Sequence, residues 1–493
     1  MQANPGANRI LLMNTLAFTA CFAAWTLYGV LAAFLADHGI LTIDKAQMGW
    51  LIGIPILTGS ILRLPVGLLT DRFGGKPVSI AVMLFAALGL VATSFASGFV
   101  AFMLTGLAFG LAGTIFASGV AYTSLWFPKE RQGTALGIFG MGTAGSAITS
   151  MGAPTLLNAL TDGGTKPDGW RGLPLIYAGV LVVVTVLFAL LTQNKKVGAA
   201  QQKNLGIMLR PLRDLRVWRF GLYYFVVFGG FVALSQWLIP YYLNVYGMTL
   251  ATAGLMASAF SLPSGITRAL GGMVSDRIGA RSLLYIVLSA CTILFLALVA
   301  PRMDITSPGE GLMADKAGTV NSVTPTSVTI DTKTYSLKQK PSEIAVEGNL
   351  VLPRFESWQE VSVKPGQAVK KKELLARGVT HVFFQANVWV FSGVVLLAGV
   401  MMGFGMAAVF RFIPDYFPND VGVVGGLVGV IGGLGGFICP ILFGWMLKAS
   451  GLWSSCWLFL ALLTVVSLLW MHSVVLKMGH AQDRERGEAA MRP

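Results

Sequence analysis

Apolar residues run in long stretches along this chain, and polar residues gather between them. Stretches able to cross a hydrocarbon core of about 30 Å fall near residues 10–35, 46–70, 78–96, 99–124, 134–159 and 174–192. A second set falls near 218–246, 251–274, 283–300, 384–409, 421–448 and 452–476. The pattern predicts an all-α membrane protein of twelve helices in two six-helix bundles. The N-terminal bundle spans 1–192 and a linker spans 193–217. The C-terminal bundle is split into helices 7–9 (218–300) and helices 10–12 (384–476), and a tail covers 477–493. The first apolar run is longer than a signal-peptide core and no small-residue cleavage site follows it, so it is expected to remain a helix.

Residues 301–383 break this pattern. Charged residues return, and stretches such as "TSVTIDT" and "EVSVKPGQAVKKKELLARG" alternate with period two around a Pro-Gly turn. A small β-rich insert between helices 9 and 10 is expected.

Composition agrees with a membrane class. Only 12% of residues are charged and 55% are hydrophobic, against about 25% charged in soluble chains. The 59 glycines suit helices that approach closely. A net charge of +14 could point to nucleic acid, but its placement argues otherwise. One set of loops carries Arg9, Arg72, Lys76, Lys129, Arg131, Arg277, Arg281 and Arg411. The same side holds the linker cluster Lys195, Lys196, Lys203, Arg210, Arg213, Arg216 and Arg219. The opposite short loops carry only Lys45, Lys166, Arg171 and Lys448. The positive-inside rule then puts both termini and the linker in the cytoplasm and the insert outside, in a bacterial inner membrane. The basic balance reports topology in a lipid bilayer, and nucleic acid is set aside.

Cys21, Cys291, Cys439 and Cys456 all fall in apolar stretches, and the four histidines are scattered. This offers no disulfide framework or metal spacing. No nucleophile–base pair or phosphate loop is present, so neither an enzyme nor a cofactor is expected.

An internal repeat carries the functional signal. Shifted by 205 residues, "ILRLPVGLLTDRFGGK" (61–76) lies over "ITRALGGMVSDRIGAR" (266–281). Arg63 matches Arg268, Gly67 matches Gly272, and Asp71 and Arg72 match Asp276 and Arg277. A weaker echo joins "WFPKERQG" (126–133) to "YFPNDVGV" (416–423). Two parallel six-helix repeats are the mark of a rocking two-bundle transporter. Each arginine lies eight residues before its aspartate, about 12 Å inside the helix end, where a cation is expensive. Such an arginine either bonds the carbonyls of broken helices or faces a polar cavity between the halves. No Asp or Glu lies within any of the twelve apolar cores, so two facing cations favour a bound anion. Planar guanidinium suits a small planar oxyanion such as nitrate, nitrite or a carboxylate.

These motifs support a resemblance. "GLLTDRFGGK" and "GMVSDRIGAR" resemble the loop motif of the major facilitator superfamily. By that likeness Gly67, Asp71, Arg72, Gly272, Asp276 and Arg277 would form a cytoplasmic gate. The glycine helices "GIFGMGTAGSAITSMGAP" (137–154) and "GVVGGLVGVIGGLGGFICP" (422–440), beside the paired arginines, resemble the signature helices of its nitrate/nitrite porter family. "YFVVFGGFVALSQW" (224–237) and "GTIFASGVAYTSLWFPKERQG" (113–133) are similar to that family's seventh and fourth helices. The resemblance implies a substrate site of Arg63, Arg268, Tyr224, Phe228 and Phe116, lined by Gly142, Thr143, Gly145, Gly432 and Gly435. It departs in the fifth helix, where some members carry asparagines and this chain has Thr143 and Ser146.

The expected function is nitrate/nitrite transport by alternating access, by exchange or proton-coupled uptake, in a monomer. Transport of a small carboxylate such as formate or oxalate is one alternative. A receptor or scaffold that uses the insert is another. "VSVKPGQAVKKKELLA" is similar to the edge of lipoyl- or biotinyl-like barrels, but Lys316 in "ADKAG" precedes that element instead of following it. The insert is therefore read as structural, or as docking an external partner, and not as a carrier of a modified lysine.

Overall fold

A computed structural model describes residues 6–196, 206, 209–300, 303–340, 354–417 and 420–490. Lys203 of the linker, residues 341–353 of the insert, and Pro418 and Asn419 of the weaker repeat lie outside them. The chain divides into two compact units, Met1–Val299 with Ser392–Pro493, and Ala300–Phe391.

Among the described residues, eleven helices are long and apolar enough to cross a membrane. They are α1 (Ala7–Asp37), α2 (Lys45–Phe73), α3 (Gly75–Ser94), α4 (Gly98–Ser124), α6 (Pro167–Leu191), α7 (Leu215–Tyr246), α8 (Leu250–Ile278), α9 (Ala280–Leu298), α10 (Val388–Tyr416), α11 (Val421–Ser450) and α12 (Ser455–Ala490). The remaining span, α5 (129–160), is helical throughout. Its glycine, serine and threonine content leaves it less apolar than the others. The last helix also outruns its apolar stretch, because the residues after 476 are mostly good helix formers. Leu88, Val100, Leu190 and Ile293 are each more than 60% exposed on the outside of the bundle. Only lipid makes such a surface stable.

Five helices are interrupted at middle depth. The turn at Thr26 breaks α1 and that at Leu62 breaks α2. Gly110–Thr114 in α4 and Met141–Ala144 in α5 are wound as 3₁₀ turns, and Phe225–Gly229 in α7 as a π turn. Such turns leave carbonyls outside the regular ladder and frequently mark functional positions.

The halves meet along two seams, α2 with α11 and α5 with α8, and both seams grade from tight to open. At the end bearing Asp44 and Lys448 (the clasp end), a side chain on Gly49 would fall on the Pro440 carbonyl, and one on Gly254 on that of Ser150. Midway, a Cβ on Gly265 would be 3.1 Å from Ala144, and one on Gly426 would be 3.9 Å from Leu64. Toward the end bearing Asp71 and Asp276 (the motif end), Gly67, Gly133 and Gly272 face open space. At these glycines the halves pack tightly at the clasp end and more loosely toward the motif end.

Among its described residues, the smaller unit's regular structure is β apart from the first turn of α10. Strands β1 (Met303–Met313), β7 (Leu374–Phe384) and β5 (Arg354–Val361) form one antiparallel sheet in the order β1-β7-β5. Strands β4 (Lys333–Ser336), β3 (Ser327–Ile330), β2 (Gly318–Val323) and β6 (Ala368–Val369) form a second, in the order β4-β3-β2-β6. Val320, Val328, Ile330, Val369 and Leu375 fill the core. The Pro365-Gly366 turn needs its glycine, which sits at φ +83°. Lys316 is exposed between β1 and β2.

Candidate functional site

Arg63 and Arg268 leave α2 and α8 from opposite halves, and both are buried, at 3% and 7% exposure. They converge on the same two rings. The Arg63 guanidinium carbon lies 5.3 Å from the centre of Phe116 and 5.4 Å from that of Phe228. That of Arg268 lies 5.3 and 5.8 Å from them. Phe116 belongs to the N-terminal half and Phe228 to the C-terminal half, so each arginine reaches across the interface. Among the described residues neither forms an ion pair with a carboxylate.

Their remaining partners differ. Arg63 donates to the Gly429 carbonyl of α11 at 2.7 Å and, more weakly, to the Gly113 carbonyl at 3.4 Å. Gly113 lies in the 3₁₀ turn of α4, so the interrupted helix presents an acceptor toward the site. Arg63 also lies over Trp25, at 5.4 Å. Arg268 donates to the Tyr224 hydroxyl at 3.1 Å and grazes the Met406 sulfur at 3.8 Å. Tyr224 stacks flat on Phe228, with centroids 4.9 Å apart and planes 6° apart, across the start of the π turn. Phe410 of α10 meets the Tyr224 ring edge-on at 4.9 Å.

The residues expected here from the sequence separate into groups. Arg63, Arg268, Tyr224, Phe228 and Phe116 come together. Gly432 and Gly435 seat α7, for a side chain on the first would fall on the Tyr224 ring and one on the second on the Phe225 carbonyl and Gly229. Gly142, Thr143 and Gly145 instead pack α5 on α1, where side chains on the glycines would strike Phe18 and the Thr19 carbonyl. Thr143 donates its hydroxyl to the Gly140 carbonyl of its own helix at 3.1 Å.

Of the expected gate residues, Asp276 accepts from Arg411 of α10 at 2.9 Å, and Arg411 also bonds Asp415 at 3.0 Å. Arg72 lies over Phe73 at 5.5 Å. At the clasp end, Asp44 caps α2 reciprocally with Gln47 and accepts from Lys448 of the other half at 2.8 Å. That inter-half ion pair was not read from the sequence, although the Asp-x-x-Gln capping box was visible there. Trp25, Gly113, Gly429 and Phe410 were missed as well, as was Ser60, whose buried hydroxyl has no hydrogen-bond partner among the described residues. A side chain on Gly433 would meet both that hydroxyl and the Arg63 guanidinium.

The comparisons agree with this architecture. The sequence profile of the Major Facilitator Superfamily matches residues 13–314 and 374–492. The chain is 36% identical over 478 residues to a probable nitrate/nitrite antiporter, NarK1, of Thermus thermophilus, covering 96% of this chain and 93% of that one. It is 24% identical over 470 residues to a nitrite extrusion protein of Bacillus subtilis, covering 94% of each. Among solved structures it resembles a bacterial homologue of the human lysosomal transporter Spinster in an inward-facing, occupied conformation, with a TM-score of 0.63 at 14% identity. That likeness covers 96% of this chain and 97% of that one, and at this identity it speaks for the fold alone. Two repeated six-helix halves, an arginine from each at their interface, and these relatives place the chain in the Major Facilitator Superfamily and, within it, in the nitrate/nitrite porter family.

Proposed function

We propose that the protein carries nitrate and nitrite across the bacterial cytoplasmic membrane by alternating access. One observation supports this above all. Two buried guanidinium groups, one from each half, share the rings of Phe116 and Phe228 without a carboxylate. The substrate supplies the missing negative charge. Each guanidinium offers paired in-plane donors that suit a planar oxyanion. The Tyr224 oxygen accepts from Arg268, which leaves its O–H to donate to the anion. Phe116 and Phe228 wall the site against water.

The same charges set the transport cycle. With the motif end cytoplasmic and the insert on the outer side, the looser packing at the motif end gives access from inside the cell. Neutralising the two arginines lets the halves close over a bound anion. An empty site would have to close with two like charges facing in low dielectric, at a high desolvation cost. Return with an anion aboard is easier, which favours nitrate/nitrite exchange over proton-coupled uptake.

Counterflow in proteoliposomes tests the reading. Nitrite-loaded vesicles should take up nitrate saturably, and collapse of the pH gradient should leave that exchange intact. Flux driven by formate or oxalate but not by nitrate would make the protein a carboxylate carrier. Anion binding without any flux would make it a receptor.

A further inference from the structure

A second group of donors sits at the motif end of the C-terminal half, on the starts of α7 and α9 and the end of α10. Arg219 is about nine-tenths buried, at 9% exposure. Among the described residues it makes no hydrogen bond or ion pair, and its guanidinium lies 5.6 Å from the Phe220 ring centre. One turn along, Tyr223 is 2% exposed, and its hydroxyl has no hydrogen-bond partner among the described residues. The Tyr223 ring lies 6.5 Å from that of Phe220, which carries Arg219 on it and meets the Tyr416 ring at 5.5 Å. Arg281 donates to the Tyr416 hydroxyl at 3.4 Å, and the Tyr285 hydroxyl is 3.2 Å from Nδ1 of His472. Asp214, whose carboxylate feels the charge of Arg219, is taken up by Arg216 at 2.7 and 3.0 Å.

The N-terminal half resolves the same problem internally. There Lys76 donates to the Thr192 carbonyl at 2.8 Å and Asn194 to that of Phe73 at 2.9 Å. The Tyr122 hydroxyl bonds the Gln193 carbonyl. These acceptors exist because α6 ends at Leu191 and α2 at Phe73, leaving carbonyls free for capping. In the C-terminal half α12 runs on to Ala490, and its carbonyls at this depth stay in the helical ladder. The result is a buried Tyr223 hydroxyl and, one turn away, an Arg219 guanidinium, with no acceptor for either among the described residues, a shortfall that a native fold tolerates where a ligand completes it.

We propose that Arg219 and Tyr223, with Arg281 and Tyr416 at the rim, form a second anion site that binds a phosphate group. Donors spread over three helices suit the tetrahedral array of phosphate oxygens, unlike the planar pair at Arg63 and Arg268. Exposed Arg281 and His472 mark the approach from the membrane surface. The phosphate comes either from the headgroup of an anionic lipid or from free phosphate. In either case it ties the start of α7, the helix that carries Tyr224, to α9 and α10. The site does not depend on what the central site transports.

Thermal unfolding of the purified full chain tests this with two probes. One is inorganic phosphate in lipid-free detergent, matched against chloride at equal ionic strength. The other is phosphatidylglycerol in nanodiscs, matched against phosphatidylcholine alone. At least one probe should raise Tm by several degrees. A rise with phosphatidylglycerol only assigns the site to lipid, and a rise with phosphate only assigns it to the soluble ion. Tyr223→Phe removes a hydroxyl that nothing in the protein uses. It should keep the wild-type Tm in chloride, keep nitrate exchange in phosphatidylcholine vesicles, and lose at least half of the anion-dependent rise. Arg219→Gln should abolish the rise. The site is refuted by no rise with either probe, or by a rise that Tyr223→Phe leaves whole, whatever Arg219→Gln does.

Discussion

Arg63 and Arg268 occupy equivalent positions of the repeat, yet the fold gives them different work. Arg63 is strutted between halves by the Gly429 carbonyl, with Gly113 behind it. Among the described residues Arg268 bonds only a phenol and a thioether, both neutral and one of them weak. The cause lies in the seams. Across α2 and α11, the glycines of α11 let a backbone carbonyl reach Arg63. Across α5 and α8, Gly140 gives Arg268 room, with a Cβ there only 3.1 Å from its Nε, but no acceptor. Duplication therefore copied the cation and left its partners to local packing. Of the two, Arg268 keeps more of its donors for a substrate.

Substitution at the arginines is the strongest way to break that comparison. Removing one partner of a desolvated charge interaction costs about 2–5 kcal/mol, so Arg63→Lys and Arg268→Lys should each cut nitrate counterflow by about 100-fold. Lysine keeps the charge but loses the fork. The two should part on stability. Arg63→Lys should lower Tm, because two buried carbonyls lose a well-placed donor, whereas Arg268→Lys should leave Tm close to wild type. Unchanged counterflow in either variant removes the clamp. Equal losses of Tm remove the asymmetry.

The glycines probe the same contrast with a smaller effect. A methyl at Gly432 falls on the Tyr224 ring, and one at Gly142 falls on Phe18. Phe18 touches Phe116 at 5.5 Å but neither arginine directly. Overpacking costs about 1–3 kcal/mol, and in Gly432→Ala it is spent on a ring that orients Arg268. Its KM for nitrate should rise about tenfold, while Gly142→Ala should change KM by less than half of that. Equal changes would mean that Tyr224 is not a substrate contact.

How legible was this site before the fold was known? The arginine pair was, because the repeat aligned it and the apolar cores held no acid to neutralise it. The Tyr224–Phe228 pair was implied by the resemblance of 224–237 to the seventh helix of the porter family, and spacing alone does not single it out. Trp25, Gly113, Gly429 and Phe410 were not legible, since their approach depends on 3₁₀ and π turns that tertiary packing imposes on otherwise helical sequence. Arg219 was counted among the linker charges, because a charge tally along the chain reports side and not depth. The apolar pattern located all twelve spans, α5 among them, although the small polar residues that serve close packing leave α5 less apolar than the other eleven. Period-two alternation exposed the strands of the insert, while their sorting into two sheets needed long-range pairing that no local pattern encodes.

Closure at the clasp end should be altered first by the seam glycines and least by its ion pair. Gly49→Ala and Gly254→Ala each put a methyl on a backbone carbonyl of the other half. Both should open that end, seen as faster maleimide labelling of a cysteine at Trp50, which in the closed seam meets Phe437 edge-on at 5.8 Å. Unaltered labelling would mean that these glycines do not hold the seam shut. Asp44→Asn should do the same by less. The residue keeps its capping oxygen for Gln47 and loses only the attraction to Lys448, a half-exposed pair worth at most about 1 kcal/mol. Lys448 and the Gln47 amide hold the Asp44 carboxyl below the usual carboxylate range. Its contribution is therefore whole at neutral pH and is lost only as pH falls through that lowered value. Between pH 8 and 5 the ratio of labelling in Asp44→Asn to labelling in the parent with a cysteine at Trp50 should stay flat, because the thiolate dependence of maleimide addition is common to both. High salt should erase most of the difference between them. If the difference persists in high salt, Asp44 acts through the helix cap and not through the bridge between halves.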